Sequence, residues 1–131
     1  MKNFIFPPVL LALLTFSGCA PKKDANTLIQ AHKLHLESIA IAQELESTFQ
    51  TLQKRNLPTA HRQKVDSLNQ LLHLWEASLI EVSGFDHEHE GAHEHKPAPQ
   101  MTEESMLEYQ LQAKQAILLI QKDLEEFSQL K

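Results

Sequence analysis

Between Val65 and Val82 the apolar residues Val65, Leu68, Leu72, Trp75, Leu79 and Val82 recur in alternating steps of three and four. That spacing makes one continuous stripe only on an α-helix, and such a stripe has to be buried against a partner of the same period. A second stripe precedes it. From Leu28 to Leu52, the residues Leu34, Ile41, Leu45, Phe49 and Leu52 share a face, with Ala31, Ser38 and Ala42 between them and Lys33, Glu37 and Glu44 opposite. A third follows, through Met106, Tyr109, Ala113, Ala116 with Ile117, Ile120, Leu124 and Phe127. The breaks between the segments are local. Arg55-Asn56-Leu57-Pro58 stops the first, because proline disfavours helical geometry at the residue before it and Asn favours turns. Thr59 is the expected N-cap of the second helix, and Ser83-Gly84 its end, with Gly84 suited to a left-handed cap. Thr102 is the expected N-cap of the third, followed by Glu103 and Glu104, which complement the helix dipole.

Helices of about 28, 23 and 28 residues are ~42, ~35 and ~42 Å long. The short first connection makes the first two antiparallel neighbours, and the matched lengths favour an antiparallel return for the third. The expectation is an all-α protein, an up-down-up three-helix bundle. The alternative is a long helical hairpin that completes its core by dimerising, because Leu74, Leu111 and Leu118 lie off the stripes. Three glycines among 131 residues are too few for an all-β fold, and Gly18, Gly84 and Gly91 are too far apart for a phosphate-binding loop.

The chain opens with an address. Lys2 gives a short positive region, and Phe4 to Phe16 is an uncharged apolar run of thirteen residues. A membrane-spanning helix needs ~20, and Pro7-Pro8 breaks this one further. Ser17-Gly18 then stand directly before Cys19, the only cysteine. The run resembles the lipobox of bacterial lipoproteins, with Phe16 where that family usually has Leu. The resemblance implies a signal peptide over 1–18, a lipidated Cys19 and a polar tether over 19–27. The plainer reading is an ordinary cleaved signal followed by a free thiol. Lipidation would anchor the protein to a membrane of the bacterial envelope, the outer membrane first, with periplasmic and surface-facing orientations both open. It would also remove the only thiol, excluding disulfides, thiolate metal sites and cysteine nucleophiles.

The remaining residues, 28–131, form the helical domain, and its loop at 84–100 departs from the bland pattern. Asp86-His87-Glu88-His89-Glu90-Gly91-Ala92-His93-Glu94-His95 holds four of the eight histidines, and Lys96-Pro97-Ala98-Pro99 after it can form neither a helix nor a central strand. A His/acidic tract is the compositional signature of metal binding. Neutral imidazole is a good donor to divalent transition metals, and carboxylates neutralise the ion's charge. The two His-x-His pairs, His87 with His89 and His93 with His95, are joined by a Gly-Ala hinge and can fold onto one ion. An up-down-up bundle puts this loop at the same end as the start of the first helix, where His32 and His35 lie three apart at the edge of the stripe. The expected ligands are His87, His89, His93 and His95, with His32 and His35 as additions. His61 and His73 fall elsewhere. The plain alternatives are a solvated acidic linker for the tract and half-buried packing for His32 and His35.

Other chemistry is missing. There is no GxSxG, and there are no paired carboxylates in a recognisable setting. His89-Glu90-Gly91-Ala92-His93 has the letters of HExxH, but it sits in an alternating His/Glu tract with a glycine inside it and no apolar helical stripe, not on an expected helix that would present the i, i+4 pair on one face. An enzyme is therefore not expected. A net charge of −5 and 6% aromatics give no reason to expect nucleic acid.

From Leu74 to Lys122 the run LWEASLIEVSGFDHEHEGAHEHKPAP followed by MTEESMLEYQLQAKQAI resembles small His-rich lipoproteins of the Bacteroidota. In these a tryptophan-bearing helix leads into a His/Glu/Asp loop and then into a helix opening with Thr, Glu and Met-Leu-Glu. The resemblance covers roughly the C-terminal half plus the signal, and it implies localisation and architecture but no activity. By analogy with the His-rich acidic loops of periplasmic zinc-uptake proteins, zinc is the first expected metal. The sequence thus points to a lipid-anchored envelope protein that buffers or hands over divalent metal, with a metal-transport or other envelope protein as partner and a homodimer as an option. A different class stays open: an envelope structural or adaptor lipoprotein whose helices pack on a partner, the loop being a spacer.

Overall fold

The computed structural model describes residues 25–85 and 96–129. Three helices are packed against one another in an all-α bundle: α1 (Ala25–Gln53), α2 (Thr59–Ser78) and α3 (Glu103–Gln129). α1 packs most extensively on α3, and α2 closes the triangle. Up-down-up order is visible in the cross-helix bonds. Trp75 Nε1 donates to the Ala113 carbonyl at 2.8 Å and Tyr109 Oη to the Ser78 carbonyl at 2.6 Å, so α2 and α3 run antiparallel. Lys114 bonds to Glu37, which sets α3 beside α1 at mid-height.

The stripes build the main core. Leu45, Phe49 and Leu52 of α1 meet Val65, Leu68, Leu72 and Trp75 of α2 and Ile117, Ile120 and Leu124 of α3. Leu72 and Ile117 have no exposed surface. Burying a side chain of that size contributes about 1.5–3 kcal/mol. A second, smaller cluster lies at the end of the bundle where α1 begins: Ala31, Val82 and Met106, with Leu28, Ile80, Phe85, Ala98 and Leu107 against them.

The helix ends agree with the sequence in part. α1 stops at Gln53, and the Arg55 and Leu57 amides close the turn onto the Leu52 and Arg55 carbonyls before Pro58. Thr102 caps α3 as expected, its hydroxyl oxygen accepting from the Ser105 amide at 3.1 Å. Thr59 does not cap α2. Pro58 holds the cap position, no side chain bonds there, and Thr59 is the first helical residue. α2 also ends earlier than the stripe suggests, at Ser78 and not near Ser83-Gly84. Leu79 turns extended, with ψ 135°, and three acceptors at this point are taken by side chains. Ser78 Oγ bonds the Trp75 carbonyl, Tyr109 the Ser78 carbonyl and Gln110 the Ile80 carbonyl. Leu79 and Val82 are still buried, each 1% exposed, because an extended segment laid against the bundle can point the same side chains inward. Gly84 does adopt the left-handed conformation, at φ +86°, in the turn after this segment. No described helix is long and apolar enough to cross a membrane.

Candidate functional site

The two ends of the His-rich segment are fastened together. Ile80 and Lys96 form an isolated parallel bridge, and the Glu81 amide donates to the Lys96 carbonyl at 3.1 Å. Gln110, buried inside α3, holds the same strand-like segment through its 2.8 Å bond to the Ile80 carbonyl. A buried carbonyl left without that donor would cost about 1–3 kcal/mol. The sequence hides this device, because Gln110 is a polar interruption beside the third stripe. Its purpose appears only once Ile80 is brought to it.

Phe85 continues the attachment on the α1 side. Its ring stacks on His32 with centroids 4.2 Å apart and planes 11° apart. His35 follows one turn on, its centroid 6.5 Å from that of His32 and its plane within 20°. Three rings are thus arrayed in file along the start of α1. Phe85 was not among the residues that sequence reasoning selected. Its signal was its isolation: no other Phe, Tyr or Trp lies between Trp75 and Tyr109.

The expected juxtaposition of His32 and His35 with the base of the loop is present, and their surroundings differ from each other. His32 is partly exposed, whereas His35 has no exposed surface and lies in the core, not at its edge. Nδ1 is buried in both rings. The pair does not chelate as it stands. A zinc ion bonded at about 2.0–2.1 Å to two imidazole nitrogens holds the ring centroids roughly 5 Å apart at a tetrahedral angle. The observed 6.5 Å and near-parallel planes require one ring to turn. No group of three or more His, Cys, Asp or Glu among the described residues is arranged to hold a metal ion. His87, His89, His93, His95 and Cys19 lie outside the described residues.

The other two described histidines are engaged away from this end. His61 meets Phe127 edge to face, centroids 5.2 Å apart, and His73 bonds Glu76 at 3.1 Å on an exposed face of α2. Beside the base of the loop, Leu28, Gly84, Met101, Thr102, Glu103 and Met106 line an open groove of about 340 Å³. One oxygen of Glu103 is buried with no hydrogen-bond partner among the described residues.

Electrostatics elsewhere are mild. The hydrogen bond from Lys114 holds the Glu37 carboxyl below its ordinary 4.5, against an opposing effect of burial, with the Lys114 and Lys33 charges adding to the lowering. Burial raises the Tyr109 phenol above its ordinary 10.0, the Ile80 backbone acting in the opposite direction. No family model matches the chain, and neither a curated protein nor a solved structure gives a significant match.

Proposed function

We propose that this protein is a lipid-anchored component of the bacterial envelope that captures divalent transition metal, zinc first, through the tract His87, His89, His93 and His95, as a buffer or hand-over protein and not as an enzyme. His32 is the α1 ligand nearest to hand, and His35 joins only if its ring turns out of the core. Cys19 is the proposed lipid attachment. The observation that supports this reading most is the Phe85–His32 stack at 4.2 Å. His87 follows Phe85 by two residues, so chain length alone keeps the first tract histidine within about 7 Å of the Phe85 backbone, beside a further imidazole. A ligand set on a tract tied at its stem loses less entropy on binding than one on a free tail. Protons compete for the same nitrogens, so binding weakens as pH falls through the imidazole range.

Calorimetric titration of residues 20–131 with zinc, nickel, copper and cobalt tests the reading. Micromolar or tighter binding is expected, lost when His87, His89, His93 and His95 are all replaced by Gln, with helicity unchanged. Binding indifferent to those four substitutions, or no binding, refutes it. The adaptor reading has one observation in its favour, the exposed leucines of α2 and α3, and predicts that the same substitutions alter charge and nothing else.

A further inference from the structure

We propose that the outer face of the α2/α3 pair, centred on Leu71, Leu74 and Leu119, seats a second copy of this chain. The three side chains are 49%, 60% and 63% exposed. Their placement follows from the bonds that join α2 to α3. The Lys64–Asp123 pair, the Trp75–Ala113 bond and the Tyr109–Ser78 bond fix how α2 runs past α3. That register puts Leu71 level with Ala116, and Leu119 three residues further along α3, a rise of ~4.5 Å. Helical spacing turns Leu71 and Leu119 to the same outer groove, with Leu74 on the next turn of α2. Three large apolar side chains grouped in this way make a patch, unlike scattered surface leucines.

Charge identifies the occupant. From Ser67 to Trp75 there is no Asp, Glu, Lys or Arg. From Tyr109 to Gln121 there is one, Lys114, and it is turned to α1 and bonded to Glu37. The face is therefore uncharged from the Lys64–Asp123 pair at one end to Glu108 at the other. A charged partner finds nothing to pair with there. In a chain of net charge −5, two copies repel on most faces and can meet on this one without opposing like charges. The rim suits self-association too. Gln70 and Gln115 are exposed amides, each both donor and acceptor, and can pair with their own kind across a two-fold axis. Depletion of charge at the centre with neutral polar groups around it is the ordinary anatomy of a protein interface. The opposite shoulder of α3, carrying Leu111 and Leu118, does not share this character, because Lys33, Glu37 and Lys114 run along it. Two helices per copy bury a small area, so the expected association is weak, in the micromolar range.

Sedimentation equilibrium of residues 20–131, which contain all three helices, across a range of concentrations is the test. The expected result is a monomer–dimer equilibrium that strengthens slightly with salt, as repulsion between the acidic copies is screened. Leu74→Lys with Leu119→Lys should weaken the dimer by about tenfold or more, since each inserts an unpaired charge. Leu36→Lys, on the outer side of α1, should leave it intact. Leu74→Gln with Leu119→Gln is the milder pair to read if the lysines reduce helicity. A chain that stays monomeric up to hundreds of micromolar overturns the proposal, and so does a dimer that survives both double substitutions or is lost with Leu36→Lys.

Discussion

Replacing Phe85 by Ala removes the ring that ties the base of the His-rich segment to α1. The ring is partly buried among Ala31, Val82 and Met106 and stacked on His32 at 4.2 Å. Complete burial of a Phe is worth about 1.5–3 kcal/mol, so a partly buried ring contributes about 1–2. Stacking of two rings adds about 0.5–1.5 kcal/mol beyond area. The expected loss is therefore about 2–3 kcal/mol, a large share of the roughly 5–15 kcal/mol that holds a native domain. Phe85→Leu keeps most of the apolar contact and loses the stack, for about 1 kcal/mol. Urea unfolding measures both. Trp75 is the only tryptophan and is 7% exposed, so its fluorescence reports the global transition. With a urea slope of roughly 1–3 kcal/mol/M, Phe85→Ala should lower the midpoint by about 1–2 M without changing the slope. A shift below about 0.5 kcal/mol for Phe85→Ala would refute the reasoning: the ring would not be docked on His32 in solution, and the argument that brings His32 to the tract would fall with it. Zinc extends the same experiment. Ligand at a hundredfold excess over Kd stabilises a folded protein by ~2.7 kcal/mol, and Phe85→Ala should gain less from zinc than the wild type, because His32 is no longer held at the stem.

Three further outcomes are expected. Tyr109 is the only tyrosine, so tyrosinate absorbance titrates it alone; it should ionise above 10.0, because burial favours the neutral phenol. Its folded value is raised, so its contribution to stability is complete below pH 10.0 and is lost as pH rises above it, and Tyr109→Phe should abolish that alkaline slope while costing about 1 kcal/mol for the bond to Ser78. The Glu37 carboxyl is lowered from 4.5, so the stability it contributes is present above that value and is lost as pH falls through its folded value; thermal melts of Glu37→Gln should be flatter in this acid range, and the difference should shrink in high salt. Thr102→Ala removes the N-cap of α3 and should cost about 1 kcal/mol in the same urea assay, whereas Thr59→Ala, at a position that caps nothing, should cost less than about 0.5 kcal/mol.

The bundle was legible in the sequence because the information needed is periodic. A stripe such as Leu45, Phe49 and Leu52 specifies both a helix and the side on which it must be covered, and Thr102 with two glutamates specifies where a helix begins. The end of α2 was not legible, because Leu79 and Val82 keep the period after the helix has stopped. Burial asks only that a side chain point inward, and an extended segment at the right height does this as well as another helical turn. What stops the helix is held by α3, in Tyr109 and Gln110, about thirty residues away in the chain. His35 was misplaced at the stripe's edge for a related reason. Ala31 and Ser38 on either side of it are small and buried, so α1 can approach its neighbours closely there and enclose the ring.

The candidate site has the same origin as the early end of α2. Had the helix continued to Ser83, residues 79 to 82 would have kept their amides and carbonyls for the helix itself. Released from it, Ile80 and Glu81 can pair with Lys96, and the two stems of the His-rich segment close on each other instead of leaving the bundle at separate points. Gln110 makes that exchange tolerable by taking the Ile80 carbonyl. Gln110→Leu separates the two roles of this residue. It leaves the Ile80 carbonyl without its donor, at about 1–3 kcal/mol, but also removes a buried amide oxygen that has no partner among the described residues, so the two effects partly offset in global stability. The stem has no such compensation. Hydrogen exchange at the Glu81 amide should quicken in Gln110→Leu while Leu72 and Ile117 in the main core stay protected. Equal exchange at Glu81 in both proteins would mean that the bridge to Lys96 holds without α3, and that the early end of α2 is written in the segment itself.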